Sequence, residues 1–338
     1  MTFVETTPVM TTPVTQLEEM IKPVKIRKKR ASKHDFKDGT GRILAHRHDN
    51  GRGWVADTAK VEDTVYVGPR CEVFNRAIVK GGVRMEGQSR ISGGAVVSGG
   101  VIMRKDAHVY GSAVVRDTTE LSDTVRICGS AHVAGTSRIY GAALVSDSAQ
   151  LFAVTLHGNC RISGAALLVR STLHGDAGGA SVIEIKGNCS VINGNITGNV
   201  LIDSQAQLIR STLRCFSTDS NIHITDFAIV ADASNIYYPI TIKDHTVVIR
   251  TMLSNNYSAN MAATDVQQLN GRIVLQHQNF SSRADLQNYL NLLAQHGGRL
   301  GAAQIMPNGQ VAGFPARRIT FDQPPAVRRV MRLQETAT

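Results

Sequence analysis

The chain has 338 residues, 42% of them hydrophobic but only 5% aromatic, and carries a net charge of +10. That length holds one large or two ordinary domains, and so few rings exclude a core of large aromatics in favour of stacked aliphatic side chains. No apolar run approaches the ~18 residues of a membrane span and the N-terminus lacks a secretory pattern, so a soluble cytoplasmic protein with no membrane contact is expected.

Residues 1–21 are rich in Thr, Pro and Val with no period, and Lys22, Lys25, Arg27, Lys28, Lys29, Arg30, Lys33 and Lys37 follow against Asp35 alone. Residues 1–37 therefore read as a flexible basic arm. Such an arm either solubilises the chain or contacts a polyanion, a nucleic acid or an acidic protein, through flexible cations. Aromatic stacking partners are missing nearby, so nucleic-acid contact would be blind to sequence. Residues 38–54 form a lead-in to what comes next.

From Val55 a step of six residues meets Val61, Val67, Val73, Val79, Met85, Ile91, Val97, Met103, Val109 and Val115. The same step continues through Leu121, Ile127, Val133, Ile139, Val145 and Leu151. Every step is aliphatic, and the fourth position after each anchor is small or β-branched, from Ala59 and Val65 through Cys71 and Ala77 to Thr155. A six-residue unit is too short for a helix and long enough for a short strand and a bend. Gly81, Gly87, Gly93, Gly99, Gly111, Asp117 and Asp123 fall where the bend is required. Three units close a triangular coil of about eighteen residues, and neighbouring coils pair at ~4.8 Å. No coil buries its face alone, so stability is a sum over neighbours. The fold class predicted over 55–253 is an all-β, single-stranded parallel β-helix of about ten coils.

This pattern resembles the hexapeptide-repeat superfamily of acyltransferases and γ-class carbonic anhydrases, which implies a left-handed β-helix and commonly a trimer. The opening His48-Asp49-Asn50-Gly51-Arg52-Gly53-Trp54-Val55 is also similar to uncharacterised hexapeptide-repeat proteins of the YdcK-like kind, including phage-encoded ones. That likeness adds a virion or host cytoplasm to the expected locations.

After Leu151 the phase slips by one, and a forty-residue period appears. Leu168-Val169-Arg170-Ser171-Thr172-Leu173 recurs at Leu208–Leu213 and at Val248–Leu253. Forty is two coils plus four residues, and the extra residues follow Leu173 and Leu213. Insertions at one phase of a solenoid leave from one edge and stack as a ladder, a common working face.

Beyond 253, residues 254–316 read as a small α+β cap. Gly271–Gln276 is a strand, and Ser282 with Asp285 starts a helix bearing Leu286, Leu290 and Leu293, stopped at Gly297. Asn308-Gly309 marks a hairpin between Ile305-Met306 and Val311-Ala312. A basic tail, 317–338, closes the chain.

Two readings of function stay open. The run 55–155 carries no loop, whereas catalytic hexapeptide proteins usually bear one there, which favours a non-enzymatic structural or assembly component, a phage component among them, with no cofactor. The alternative is an acyltransferase-like enzyme using acyl-CoA. Its support is Gly313-Phe314-Pro315-Ala316-Arg317-Arg318-Ile319, similar to the donor-site segment that ends many such enzymes, with Gly313, Pro315, Ala316 and Arg317 as the matching positions.

Such an enzyme needs a histidine base beside a loop. His157 and His174 lie near the first insertion, and His174 with Asp176 is the pair selected, whereas His108 and His132 point outward on different faces with no loop beside them. The close histidine pair of the carbonic anhydrases is missing, so no metal is expected. The five cysteines include no C-x-x-C, and Cys71, Cys160 and Cys189 fall at small inward positions. Self-association as a trimer or larger assembly is expected from the resemblance and from apolar residues assigned outward, Val73, Ile78, Val83, Val96, Val101 and Ile102.

Overall fold

The computed structural model describes residues 32–175 and 182–210 continuously. Beyond these it describes 212–213, 222–231, 235–236, 240–249, 252–253, 267–269, 274–276, 279–280, 303–305 and 311–313, with single positions between 286 and 291.

The chain winds as a parallel β-solenoid whose three sheets are the sides of a prism. The first sheet contains Trp54–Ala56, Glu72–Val73 and Arg90–Ile91, the second Lys60–Val61, Ile78–Gly81 and Val96–Gly99, and the third Tyr66–Val67, Arg84–Met85 and Ile102–Met103. The second and third sheets each hold 12 described strands in parallel, consistent with the expected all-β solenoid of about ten turns. Register follows the repeat: Val109 lies between Ile91 and Ile127, and Ile127 pairs on with Val145.

The anchors from Val67 to Leu151 are buried, at 2% exposure or less, and Val61 in the first coil is partly buried. Burying each such side chain stabilises the fold by roughly 1.5–3 kcal/mol. Val73, Val83 and Val101, assigned outward from the sequence, are core residues at 1% exposure or less. The small fourth positions from Val65 to Ala149 are buried too, Ala59 in the first coil being partly buried, and the polar ones among them are satisfied. Thr119 Oγ1 donates to the Arg116 carbonyl at 2.9 Å and Ser137 Oγ to that of Ala134 at 2.8 Å. Cys71, Cys160 and Cys189 are buried free thiols. Burial pushes the Cys160 thiol up to about 11 and that of Cys189 up to about 12, so neither is a ready nucleophile.

The bends use left-handed backbone at the predicted Gly and Asp positions. There an Asp also serves the next coil: Asp117 Oδ2 accepts the Gly135 amide at 2.8 Å, and Asp147 Oδ2 that of Gly164 at 2.8 Å. The phase slip takes one residue out of a coil, so that Leu151 pairs with Leu168. Val154, fully buried, takes the inward place expected of Thr155, which instead pairs with outward Arg138.

Both ends differ from the sequence expectation. The arm stops short of residue 37, because Ser32–Asp35 (β1) forms an antiparallel hairpin with Arg42–Arg47 (β2), which pairs with Trp54–Ala56 (β3). Phe36, Ala45, Ala56 and Phe74 make a small core of their own, with Phe36 fully buried. The His34 ring stacks on Trp54 at 4.3 Å, and its Nε2 is 2.9 Å from Glu72 Oε1. Two rings inside a run of lysines were outweighed by the charge in the sequence.

At the other end the solenoid passes Leu253. Gln267–Leu269, Val274–Gln276 and Asn279–Phe280 pair in parallel with the preceding strands of the three sheets. Val274–Gln276, within the stretch read as a separate strand, is thus part of a further coil, disguised because residues 254–266 interrupt the period before it. Leu286 and Tyr289, at helical positions, are buried in the same core. The predicted hairpin is present, with Ile305 paired to Val311.

Candidate functional site

One edge of the prism concentrates the features that serve chemistry. Segments 176–181, 214–221 and 254–266 each follow a strand of the third sheet and precede one of the first. They therefore connect across the same edge, at every second coil, as the forty-residue period predicts. The flanking strands place histidines on both sides of it.

On the third-sheet side His157 and His174 are register partners in adjacent coils, both exposed. The His157 ring is 6.4 Å from that of Tyr140, whose hydroxyl donates to Glu120 Oε2 at 2.8 Å. Glu120 pairs with Arg104, which also reaches Glu86 at 3.4 Å. Beside this ladder the Lys105 ammonium holds the Asp123 carboxyl below its usual range, helped by the Gly141 amide and the field of His157. The structure thus brings the two candidate histidines together. Asp176, chosen as the partner of His174, lies outside the described residues.

On the first-sheet side the structure supplies a pair that sequence reasoning missed. His223 Nε2 is 3.2 Å from Asp203 Oδ2, with side chains 31% and 17% exposed. Burial opposes the charge of Asp203, but hydrogen bonds from Thr225 and His223 outweigh it and lower its pKa, with Ser204 adding to them. His223 is the second residue of strand Ile222–Ile224, which follows segment 214–221. The signal was present but displaced: Leu201 pairs with His223, and the insertion between them hides that register. His174 and His223 stand a little over two coils apart along the edge, or ~11 Å.

His108 and His132 lie in the first and second sheets, on different faces as expected. Gly313 ends a strand in a two-stranded sheet of its own, while Pro315, Ala316 and Arg317 fall outside the described residues. Lys22, Lys25, Arg27, Lys28, Lys29 and Arg30 also lie outside them, whereas Lys33 is on β1 and Lys37 is exposed just after it. Among the described residues no three His, Cys, Asp or Glu side chains cluster as metal ligands, and no helix is long and apolar enough to cross a membrane.

A solved acyltransferase resembles this chain in fold. It is the UDP-N-acetylglucosamine acyltransferase from Campylobacter jejuni, 12% identical, with 83% of this chain and 90% of that one covered at a TM-score of 0.27. No family model and no curated protein matches the sequence. The likeness carries no residue correspondence. The protein matched is an acyltransferase, the class named by the alternative expectation and not by the leading one of a structural or phage component. Residues 55–155 carry no loop, as read from the sequence, and the insertions stand where the forty-residue period put them, after Leu173 and Leu213. They lie between coils further along, near His157, His174 and His223.

Proposed function

We propose that this protein is an acyltransferase-like enzyme that moves an acyl group from a thioester donor of the acyl-CoA class to a hydroxyl or amine. The observation that carries the reading is the His223–Asp203 pair on the first face, with His223 on the strand that follows insertion 214–221 and Asp203 just past the far end of the neighbouring strand. Asp203 engages Nε2, so that nitrogen carries the proton and Nδ1 presents its lone pair. Nδ1 takes the proton of the acceptor as its oxygen or nitrogen attacks the thioester carbonyl. The Asp203 carboxylate stabilises the imidazolium so formed. Collapse of the tetrahedral intermediate breaks the carbon–sulfur bond, and the imidazolium returns its proton to the leaving thiolate. His157 and His174, on the other side of the edge, are the second candidates for the base. Gly313, Pro315, Ala316 and Arg317 are the proposed donor contacts. Association of three copies, implied by the hexapeptide-repeat resemblance, belongs to the same reading.

The test is thiol release from acetyl-CoA and longer acyl-CoA donors by the full-length chain, with hydroxyl and amine acceptors. His223→Asn is expected to lower kcat/KM by ~100-fold or more. Asp203→Asn should lower it by less, mainly through kcat, with both variants keeping the wild-type melting profile. Release that persists in His223→Asn but vanishes in His157→Asn or His174→Asn would move the base across the edge. No acyl-dependent release with any donor would overturn the proposal.

A further inference from the structure

The two forty-residue units that begin at Leu168 and Leu208 differ at most positions. Apart from the inward anchors, the residues they share are Arg170, Ser171, Thr172 and Asn195, which recur as Arg210, Ser211, Thr212 and Asn235. Ser171 is buried and donates to backbone carbonyls, so stacking accounts for it. The other three border the edge between the second and third sheets. Thr155, Thr172, Asn195, Thr212 and Asn235 follow one another in register along the third sheet. Beside them Arg170, Asn193 and Arg210 take the bend in consecutive coils, each one residue past the register partners Val169, Ile192 and Ile209. All three are exposed, with left-handed backbone at φ 51°, 56° and 54°. Earlier coils place Gly81, Gly99, Asp117 and Gly135 at this phase, residues that adopt such backbone readily. Arginine does not, and among the described residues no carboxylate pairs with Arg170 or Arg210. Folding gives no reason for a guanidinium at either place. Asp232 and Arg250, next in sequence after the register partners Ala231 and Ile249, lie outside the described residues.

We infer that this edge binds an extended anionic polysaccharide lying along the solenoid axis. Coils stack at ~4.8 Å, so the edge offers a Thr or Asn at every coil and an arginine at every second coil, ~10 Å apart. An extended β-linked glycan advances by about one sugar for each coil and presents its hydroxyls to the Thr and Asn column at that interval. A chain with a carboxylate on alternate sugars sets one anion at each arginine, where the planar guanidinium holds it through two parallel N–H···O bonds. Asn193, uncharged, then faces the neutral sugar between them. Phe152, in register with Val169 at the start of the ladder and 44% exposed, gives an apolar ring to the C–H face of a further sugar. The pattern fits a nucleic acid less well, since that polymer is charged at every nucleotide and its bases seek rings to stack on. Among its described residues this edge has the Phe152 ring alone. Each contact is weak, and the polymer gains affinity because one engaged sugar raises the local concentration of the next. The edge is a different one from that of the insertions, so the inference is independent of the acyl-transfer reading.

Hyaluronan, with one carboxylate in each β-linked disaccharide, is the probe. Calorimetric titration of the full-length chain should show binding that strengthens from disaccharide to hexasaccharide and weakens as salt rises. Arg170→Gly and Arg210→Gly remove a guanidinium and relax the bend, so each should weaken binding ~5–10-fold while the melting temperature stays level or rises. Arg161→Ala, on the first sheet, should leave binding unchanged. No binding by the wild type overturns the inference. So does binding that the double variant Arg170→Gly/Arg210→Gly retains in full, a result that would assign it to the basic arm present in every variant. Equal affinity for a neutral β-linked glycan, or tighter arginine-dependent binding of oligothymidylate, gives the edge to another partner and overturns it too. If a glycine variant melts below the wild type, Arg170→Asn and Arg210→Asn, the residue type already accepted at 193, replace it under the same criteria.

Discussion

Ser92 Oγ and His108 Nε2 lie 3.0 Å apart, joining adjacent coils across the first sheet. Ser92 is 6% exposed, and the Tyr110 ring sits 4.6 Å from the imidazole. Burial first, then the guanidinium charges of Arg90 and Arg126, lower the His108 pKa from 6.5 to about 4, against a smaller opposing pull from Asp106. Between those two values the unfolded chain binds a proton that the folded chain does not, so stability falls as pH drops from 6.5 to 4. The loss from this group is at most on the order of 3 kcal/mol. Denaturant melts at pH 7 and pH 4.5 should show it, and His108→Gln, which keeps a partner for Ser92, should remove that part of the pH dependence. An unchanged pH dependence in the variant would contradict the assignment.

The interior and exterior of one coil can be separated by two substitutions. Val109 is fully buried and Arg116 exposed. Val109→Asp puts a carboxylate in a dry prism at a cost of several kcal/mol. Arg116→Asp should change stability by no more than about 0.5 kcal/mol. Thermal melts of the pair decide the matter, and equal melting temperatures would refute the inward phase.

Adjacent glycines should behave in opposite ways. Gly93 has φ +69°, and a Cβ there would stand 2.7 Å from the Gly111 carbonyl oxygen and 2.8 Å from its amide nitrogen, neither of which can retreat. At Gly94 the nearest atom would be 3.7 Å away, with ordinary backbone. Gly93→Ala is expected to cost about 1–3 kcal/mol. Gly94→Ala should be neutral or stabilise by up to about 1 kcal/mol, through the unfolded state. Chemical denaturation midpoints distinguish these outcomes.

The basic segment divides at Ser32. Deleting residues 1–31 should leave the melting temperature unchanged, whereas deleting 1–37 removes buried Phe36 and uncovers Phe74 and Trp54. Loss of one buried Phe costs about 3–5 kcal/mol. If the arm contacts nucleic acid, the shorter deletion also weakens binding to single-stranded DNA, and wild-type affinity falls steeply as salt rises. Salt-independent binding, or none by the intact chain, would exclude that partner.

The six-residue aliphatic period from Val55 to Leu151 determined the solenoid, its core columns and the Gly and Asp bends, because each coil depends only on its neighbours and local sequence repeats what stacking requires. The forty-residue period likewise placed the insertions after Leu173 and Leu213 on one edge and His157 and His174 near the first of them, while their register came from the structure. Side-chain chemistry across coils was decided only in three dimensions. Asp203 meets His223 because an insertion is looped out between paired strands, and no spacing in the sequence announces that. Phe36 finds Phe74, and Val274–Gln276 joins a further coil, by the same kind of distant pairing. The outer faces separate for a simpler reason. Which of the three sheets an outward Ile or Val occupies depends on counting coils through every slip and insertion, so Ile78 and Ile102 look alike in the sequence and stand on different sides of the prism.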